Sequence, residues 1–296
     1  MSDTALPVHS HTPQGTTHLP GTPAIPDSLG TQAYWAVADA WTIAERDILH
    51  WVRQPFNLMV GLLFPVIIAV MMGYVFGGAM TIPGGGDYFA YLMPGIFAQT
   101  MLFGVMETFT NVTTDAQRGV TDRFRAMPIS SAAVVLGRSI ADMLNSTVGL
   151  ALMVGCGLLV GWRWEQGVGR ALLAIGLLLL LRFSFLWMGI YLGLVLKRPE
   201  AIMTFQILIW PIAFLSNVYA PPESMPVVLG TVVEWNPISA TVTAARSLFG
   251  NPGGVPGGEA ASWVTQNALL MAVVWPLLIL AIFFPLSVRS YRHLSR

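Results

Sequence analysis

The sequence predicts an all-α membrane protein, and three observations carry that prediction. Of its 296 residues 54% are hydrophobic and 10% charged, against about 25% charged in a soluble domain. Six apolar runs recur along the chain, several of them near the roughly 20 residues that a helix needs to cross a bilayer. Charged residues gather between those runs. The formal net charge is zero, so no global basic field points to nucleic acid. The single Cys156 lies inside an apolar run, which excludes an intramolecular disulfide.

Residues 1–33 hold Pro7, Pro13, Pro20, Pro23 and Pro26 among Ser, Thr, Gly and His, with no Lys or Arg. This composition cannot bury enough surface to fold and predicts a disordered tail. It lacks the basic start and apolar centre of a signal peptide. His9, His11 and His18 have no rigid frame to hold a metal. Residues 34–296 form one membrane domain. It starts with an amphipathic helix over 34–54, in which Trp35, Trp41 and Trp51 alternate with Asp39, Glu45, Arg46, Asp47 and Arg53, as suits an interface.

The six spans are expected at about 55–76, 88–109, 132–160, 171–196, 201–214 and 263–286. The fifth is short and contains Pro211, so it either kinks or borrows residues from its flanks. Between spans five and six, residues 215–262 carry two apolar runs, 225–235 and 238–249, split by Asn236-Pro237. Each is too short to cross, and they read as short helices in the outer leaflet, covered by protein at their ends. With six spans, Arg46, Arg53, Arg118, Arg123, Arg125, Arg138, Lys197, Arg198, Arg289, Arg292 and Arg296 share one side. The positive-inside rule makes that side, and both termini, cytoplasmic.

Residues 115–130, between spans two and three, read as a short amphipathic helix. Val120, Phe124 and Met127 form its apolar stripe, Arg118, Asp122 and Arg125 a charged one, and Pro128 its stop. This is a lever suited to docking on a cytosolic partner. No Walker A loop accompanies it, because the one Lys, Lys197, sits in Leu-Val-Leu-Lys-Arg-Pro and no Gly-rich turn precedes it. No zinc-protease or serine-hydrolase motif is present either.

Ionisable residues at bilayer depth mark pairs or pathways. Asp142 and Arg182 both fall near the midplane, counting about 1.5 Å per residue from the ends of their spans. They can pair across helices, or Asp142 can pair with Arg138 four residues earlier. Both readings stand, a structural pin and a substrate path. Glu107, near the inner end of span two, is expected to meet Arg118 or Arg123. Gly73 and Gly77, Gly157 and Gly161, and Gly189 and Gly193 have the spacing that permits close helix approach.

Several stretches resemble a known family. They are Leu92-Met93-Pro94-Gly95-Ile96-Phe97-Ala98-Gln99, the lever from Arg118 through Asp122-Arg123-Phe124-Arg125 to Pro128, Gly137-Arg138 with Asp142, and the outer segment with Asn217, Pro221-Pro222 and Asn236-Pro237. Together they look like the type-2 ABC transporter permeases, and within them the daunorubicin- and doxorubicin-resistance branch. The resemblance covers residues 34–296. It implies a permease subunit of an ATP-driven exporter of a drug, antibiotic or lipid-like amphiphile in the inner membrane of a bacterium. It further implies two separate ATPase subunits that hold the ATP, no cofactor in this chain, and a second permease, either a copy or a relative. Carried over, Arg118, Asp122, Arg123, Phe124 and Arg125 would contact the ATPase and Pro128 would fix the turn into span three. Alternatives are a lipid or polysaccharide exporter within the family, an ion-coupled secondary transporter with Glu107, Asp142 and Arg182 as its relay, and a membrane-embedded enzyme. The relay predicts an internal repeat, and the two halves show none.

Overall fold

A computed structural model describes residues 55–78, 82, 85–117, 131–196, 198–254 and 262–294, without the side chains of 55–62, 131–135, 199 and 291–294. The tail, the amphipathic helix over 34–54 and the lever over 118–130 lie outside the described residues. So do Arg118, Asp122, Arg123, Phe124, Arg125 and Pro128.

Every regular element among the described residues is helical. They are α1 (Pro55–Phe76), α2 (Tyr88–Gln117), α3 (Ser131–Val160), α4 (Val168–Val195), α5 (Pro199–Phe214), α6 (Val227–Glu234), α7 (Pro237–Phe249), α8 (Trp263–Gln266) and α9 (Ala268–Leu294). A 3₁₀ turn, Pro222–Ser224, precedes α6. Four of the helices, α2, α3, α4 and α9, are long and apolar enough to cross a membrane. Leu63–Phe76 and Glu200–Phe214 are shorter apolar helices. The four long helices overlap the second, third, fourth and sixth of the six expected spans, with two differences. Helix α2 runs on to Gln117, past the expected end near 109. The last expected span divides at Asn267, where φ −102° and ψ 31° break the helix into the one-turn α8 and the long α9. Proline 211 falls in the last turn of α5, which begins at Pro199 and so takes its extra length from the N-terminal flank.

Helix α4 is the centre of the bundle, packing mainly on α2 and α9. Glycines set the α2–α4 approach from both sides. A Cβ on Gly189 would stand 3.1 Å from Thr108, and one on Gly193 would stand 2.7 Å from Val112. In return, Gly104 of α2 leaves room for Arg182 of α4, whose Nε would be 2.6 Å from a Cβ there. Such contacts let two backbones close up without any hydrophobic drive from water. The other two spaced pairs differ. At Gly161 and Gly77 no neighbouring helix crowds a Cβ.

The connection 117–131 defines a proximal end of the bundle, since α2 ends and α3 begins there. The opposite, distal end is closed by α6, α7 and the turn before them. Asn236 caps α7 by accepting from the Ile238 N–H at 2.8 Å, Pro237 occupies the first helical position, and Gly250 ends the helix at φ 78°. The Asn-Pro pair of the sequence is thus a helix start. Helix α7 is buried along most of its length, and Phe249 meets Trp162 and Phe97 edge-on, with ring centroids 5.0 and 6.2 Å away.

Candidate functional site: a polar network at the membrane midplane

Arg182 has 14 residues of α4 before it and 13 after it, which places it at the middle of its span. Its side chain is 1% exposed. The guanidinium donates from Nε to Ser146 Oγ at 2.7 Å and from an Nη to Thr108 Oγ1 at 2.9 Å. Thr108 lies 2.9 Å from Asp142 Oδ2, and its hydroxyl donates there or to the Gly104 carbonyl, 3.1 Å away. Ser146 in turn donates to the Asp142 carbonyl at 2.8 Å. Asp142, 8% exposed, and Arg182 are therefore joined through hydroxyls, with no direct ion pair between them among the described residues. Burial of both charges is tolerable at this depth because each is hydrogen-bonded and each offsets the other.

Glu107 extends the network. It sits one residue before Thr108, accepts from Asn145 Nδ2 at 3.0 Å and faces the exposed side of the bundle. Two carboxylates and one guanidinium then share the midplane, with three amide and hydroxyl side chains between them. The network ties α2, α3 and α4 together. Arg138, the other predicted neighbour of Asp142, instead pairs with Asp115 at 2.5 Å. That bridge joins the last turns of α2 to the first turns of α3, directly across the connection that holds 118–130.

Sequence reasoning located Asp142, Arg182 and Glu107 but not Thr108, Ser146 and Asn145. The missed signal is spacing. Asp142 and Ser146 stand at i and i+4 on α3, so a hydroxyl on the same face as an intramembrane charge is available to bridge it.

A second cluster closes the distal end. Arg246 is fully buried and donates to the carbonyls of Tyr91 (2.8 Å), Asn217 (2.9 Å) and Val218 (3.2 Å). Its guanidinium carbon lies 3.5 Å from the centre of the Tyr91 ring, a cation–π contact. Tyr91 donates to Asn217 O at 2.9 Å, and Tyr219 donates to Gln99 Oε1 at 2.6 Å. Burial pushes the Tyr219 phenol above its ordinary range, so it stays a neutral donor. Six residues on α2, the 215–221 turn and α7 are thereby locked to one another.

No group of three or more His, Cys, Asp or Glu among the described residues can hold a metal ion. A family model, ABC-2 type transporter, matches residues 38–249. A daunorubicin resistance ABC transporter permease of Streptomyces coeruleorubidus is 32% identical over 259 residues, 87% of each chain. A doxorubicin resistance ABC transporter permease of Mycobacterium tuberculosis is 26% identical over 55% of each chain. A putative transport permease of Cyanophora paradoxa is 21% identical over 82% of this chain and 81% of its own.

Proposed function

The chain belongs to the ABC-2 type transporter family, and from that premise we propose that it is the membrane permease of an ATP-driven exporter. The cargo is an amphipathic drug, antibiotic or lipid-like molecule, a reading supported by relatives that carry daunorubicin and doxorubicin resistance in their names. Six helices cross the inner membrane of a bacterium, with both termini and residues 118–130 in the cytoplasm. Two ATPase subunits bind the ATP, and a second permease, a copy or a relative, completes the pathway.

The observation that carries the mechanism is the wiring around the lever. The Asp115–Arg138 bridge clamps the two helices that leave it. Higher up, the Thr108–Asp142–Ser146–Arg182 network joins those helices to α4. A push on Phe124 and Arg125 by the closing ATPases therefore moves α2, α3 and α4 as one body. Alternating access follows by rotation of one such body against that of the second permease. Asp142 and Arg182 act as pins within the body, and Glu107, on its open side, is the member of the network that cargo can reach.

Transport into vesicles that contain the permease and its ATPase tests this. Phe124→Ala with Arg125→Ala is expected to abolish ATP-dependent transport while the permease keeps its melting temperature. Transport by the purified chain with no ATPase, or transport unchanged in the double variant, would overturn the proposal.

A further inference from the structure

A cavity of about 370 Å³ opens at the distal end, with Glu223, Glu234, Ser239, Thr243, Arg246 and Thr265 among its walls. This is near the lower limit of ligand pockets, about 300 to 1,000 Å³, and suits a polar head rather than a whole multi-ring drug. Ser239, Thr243 and Arg246 stand at i, i+4 and i+7 on one face of α7. Both hydroxyl oxygens accept from Asn217, Ser239 from its N–H at 3.0 Å and Thr243 from its Nδ2 at 2.8 Å. Their own O–H protons have no acceptor among the described residues and are free to donate to a ligand in the cavity. Among the described residues no carboxylate is bonded to the charged guanidinium beside them, and one of its Nη atoms and Asn217 Oδ1 have no partner. Among the described residues, Glu223 and Glu234 also form no side-chain hydrogen bond or ion pair. One wall of the cavity is thus a set of donors with a positive charge, and another carries two free carboxylates.

The cavity also lies at a recognisable depth. Trp235, next to Glu234, is 52% exposed, and Trp263, two residues before Thr265, is 58% exposed. Exposed Trp side chains on a membrane protein collect at the level of the lipid headgroups. We propose that this cavity binds the headgroup of a phosphatidylethanolamine drawn from the surrounding leaflet. Its phosphate accepts from the Ser239 and Thr243 hydroxyls in the field of Arg246, and its ammonium donates to Glu223 and Glu234. A choline headgroup has no N–H to donate, and a glycerol headgroup has no cation. The site therefore prefers ethanolamine over both.

Native mass spectrometry of the full chain in detergent tests this, with phosphatidylethanolamine, phosphatidylcholine and phosphatidylglycerol of identical acyl chains titrated separately. The unmodified protein is expected to bind one phosphatidylethanolamine about tenfold more tightly than the other two, the factor of one hydrogen bond to a charged group. Glu223→Gln with Glu234→Gln is expected to erase that preference, and Ser239→Ala with Thr243→Ala to weaken binding of both zwitterionic lipids. Equal binding of the three headgroups by the unmodified protein, a preference for phosphatidylglycerol, or no retained lipid at all, as a water-filled cavity gives, would each overturn the proposal. That comparison needs no variant. A preference that survives the double Gln substitution would overturn the assignment of the carboxylates.

Discussion

Thr108→Val removes one hydroxyl and is nearly isosteric, yet it cuts the network at its centre. Thr108 Oγ1 is within 2.9 Å of both an Arg182 Nη and Asp142 Oδ2, and it is fully buried. Two hydrogen bonds to charged groups are lost, at about 1.5 to 3 kcal/mol each. Arg182 keeps its bond to Ser146, and the Asp142 carboxylate keeps the attraction of the guanidinium, so the losses do not add in full. The expected cost is about 3 kcal/mol, or roughly 150-fold in the unfolding equilibrium. Equilibrium unfolding in mixed micelles, followed by circular dichroism, measures it. A neutral hydrogen bond between membrane helices averages only about 0.6 kcal/mol. A measured cost at or below that value would show that Asp142 and Arg182 do not need the bridge. The double variant Thr108→Val/Asp142→Asn supplies a second check. If the two effects add within about 0.5 kcal/mol, the residues are independent and the network is not a unit.

Other consequences are simpler to state. Gly193→Ala places a methyl 2.7 Å from Val112 and is expected to cost about 1 to 3 kcal/mol through overpacking, seen as a lower melting temperature. Asn236→Ala loses the cap of α7, worth about 1 kcal/mol, and the same assay reads it. Arg138→Ala breaks a half-exposed ion pair, so stability should fall by under about 1 kcal/mol, whereas ATP-dependent transport should fall severalfold. Loss of stability without loss of transport would contradict the clamp.

The long helices were legible because a bilayer imposes one length and one composition on them, as α2, α3, α4 and α9 illustrate. Asp142 and Arg182 were legible for a related reason, since a charge in an apolar run is conspicuous. Their bridging groups were not. A Thr or Ser in a membrane helix often satisfies itself on the preceding turn, and only the crossing of α2, α3 and α4 determines that Thr108 and Ser146 reach other helices. Arg246 stands between spans five and six, where nothing in the sequence marks it as buried. Its burial follows from tertiary structure, because carbonyls of residues 91, 217 and 218 converge on it. The hydroxyl and Ala content of α7, Ser239-Ala240-Thr241-Val242-Thr243-Ala244-Ala245, was the available sign that this short helix lies buried in the protein.

The two buried arginines differ in what they hold, and the difference bears on the proposed motion. Arg182 bonds side chains on α2 and α3, and such bonds between long helices resist sliding of one past another. Arg246 bonds main-chain carbonyls of α2 and of the 215–221 turn, which fixes a turn rather than a helix face. In the proposed cycle the first keeps the lever-driven helices in register, and the second keeps the distal cap seated on α2 while they move. In that proposed cycle whole bodies shift rather than bend. Arg182→Lys should expose that division. Lysine keeps the charge but cannot span Thr108 and Ser146 with a planar fork, so ATP hydrolysis should persist while transport falls. A variant that loses both activities together would place the fault in folding and refute the role in register.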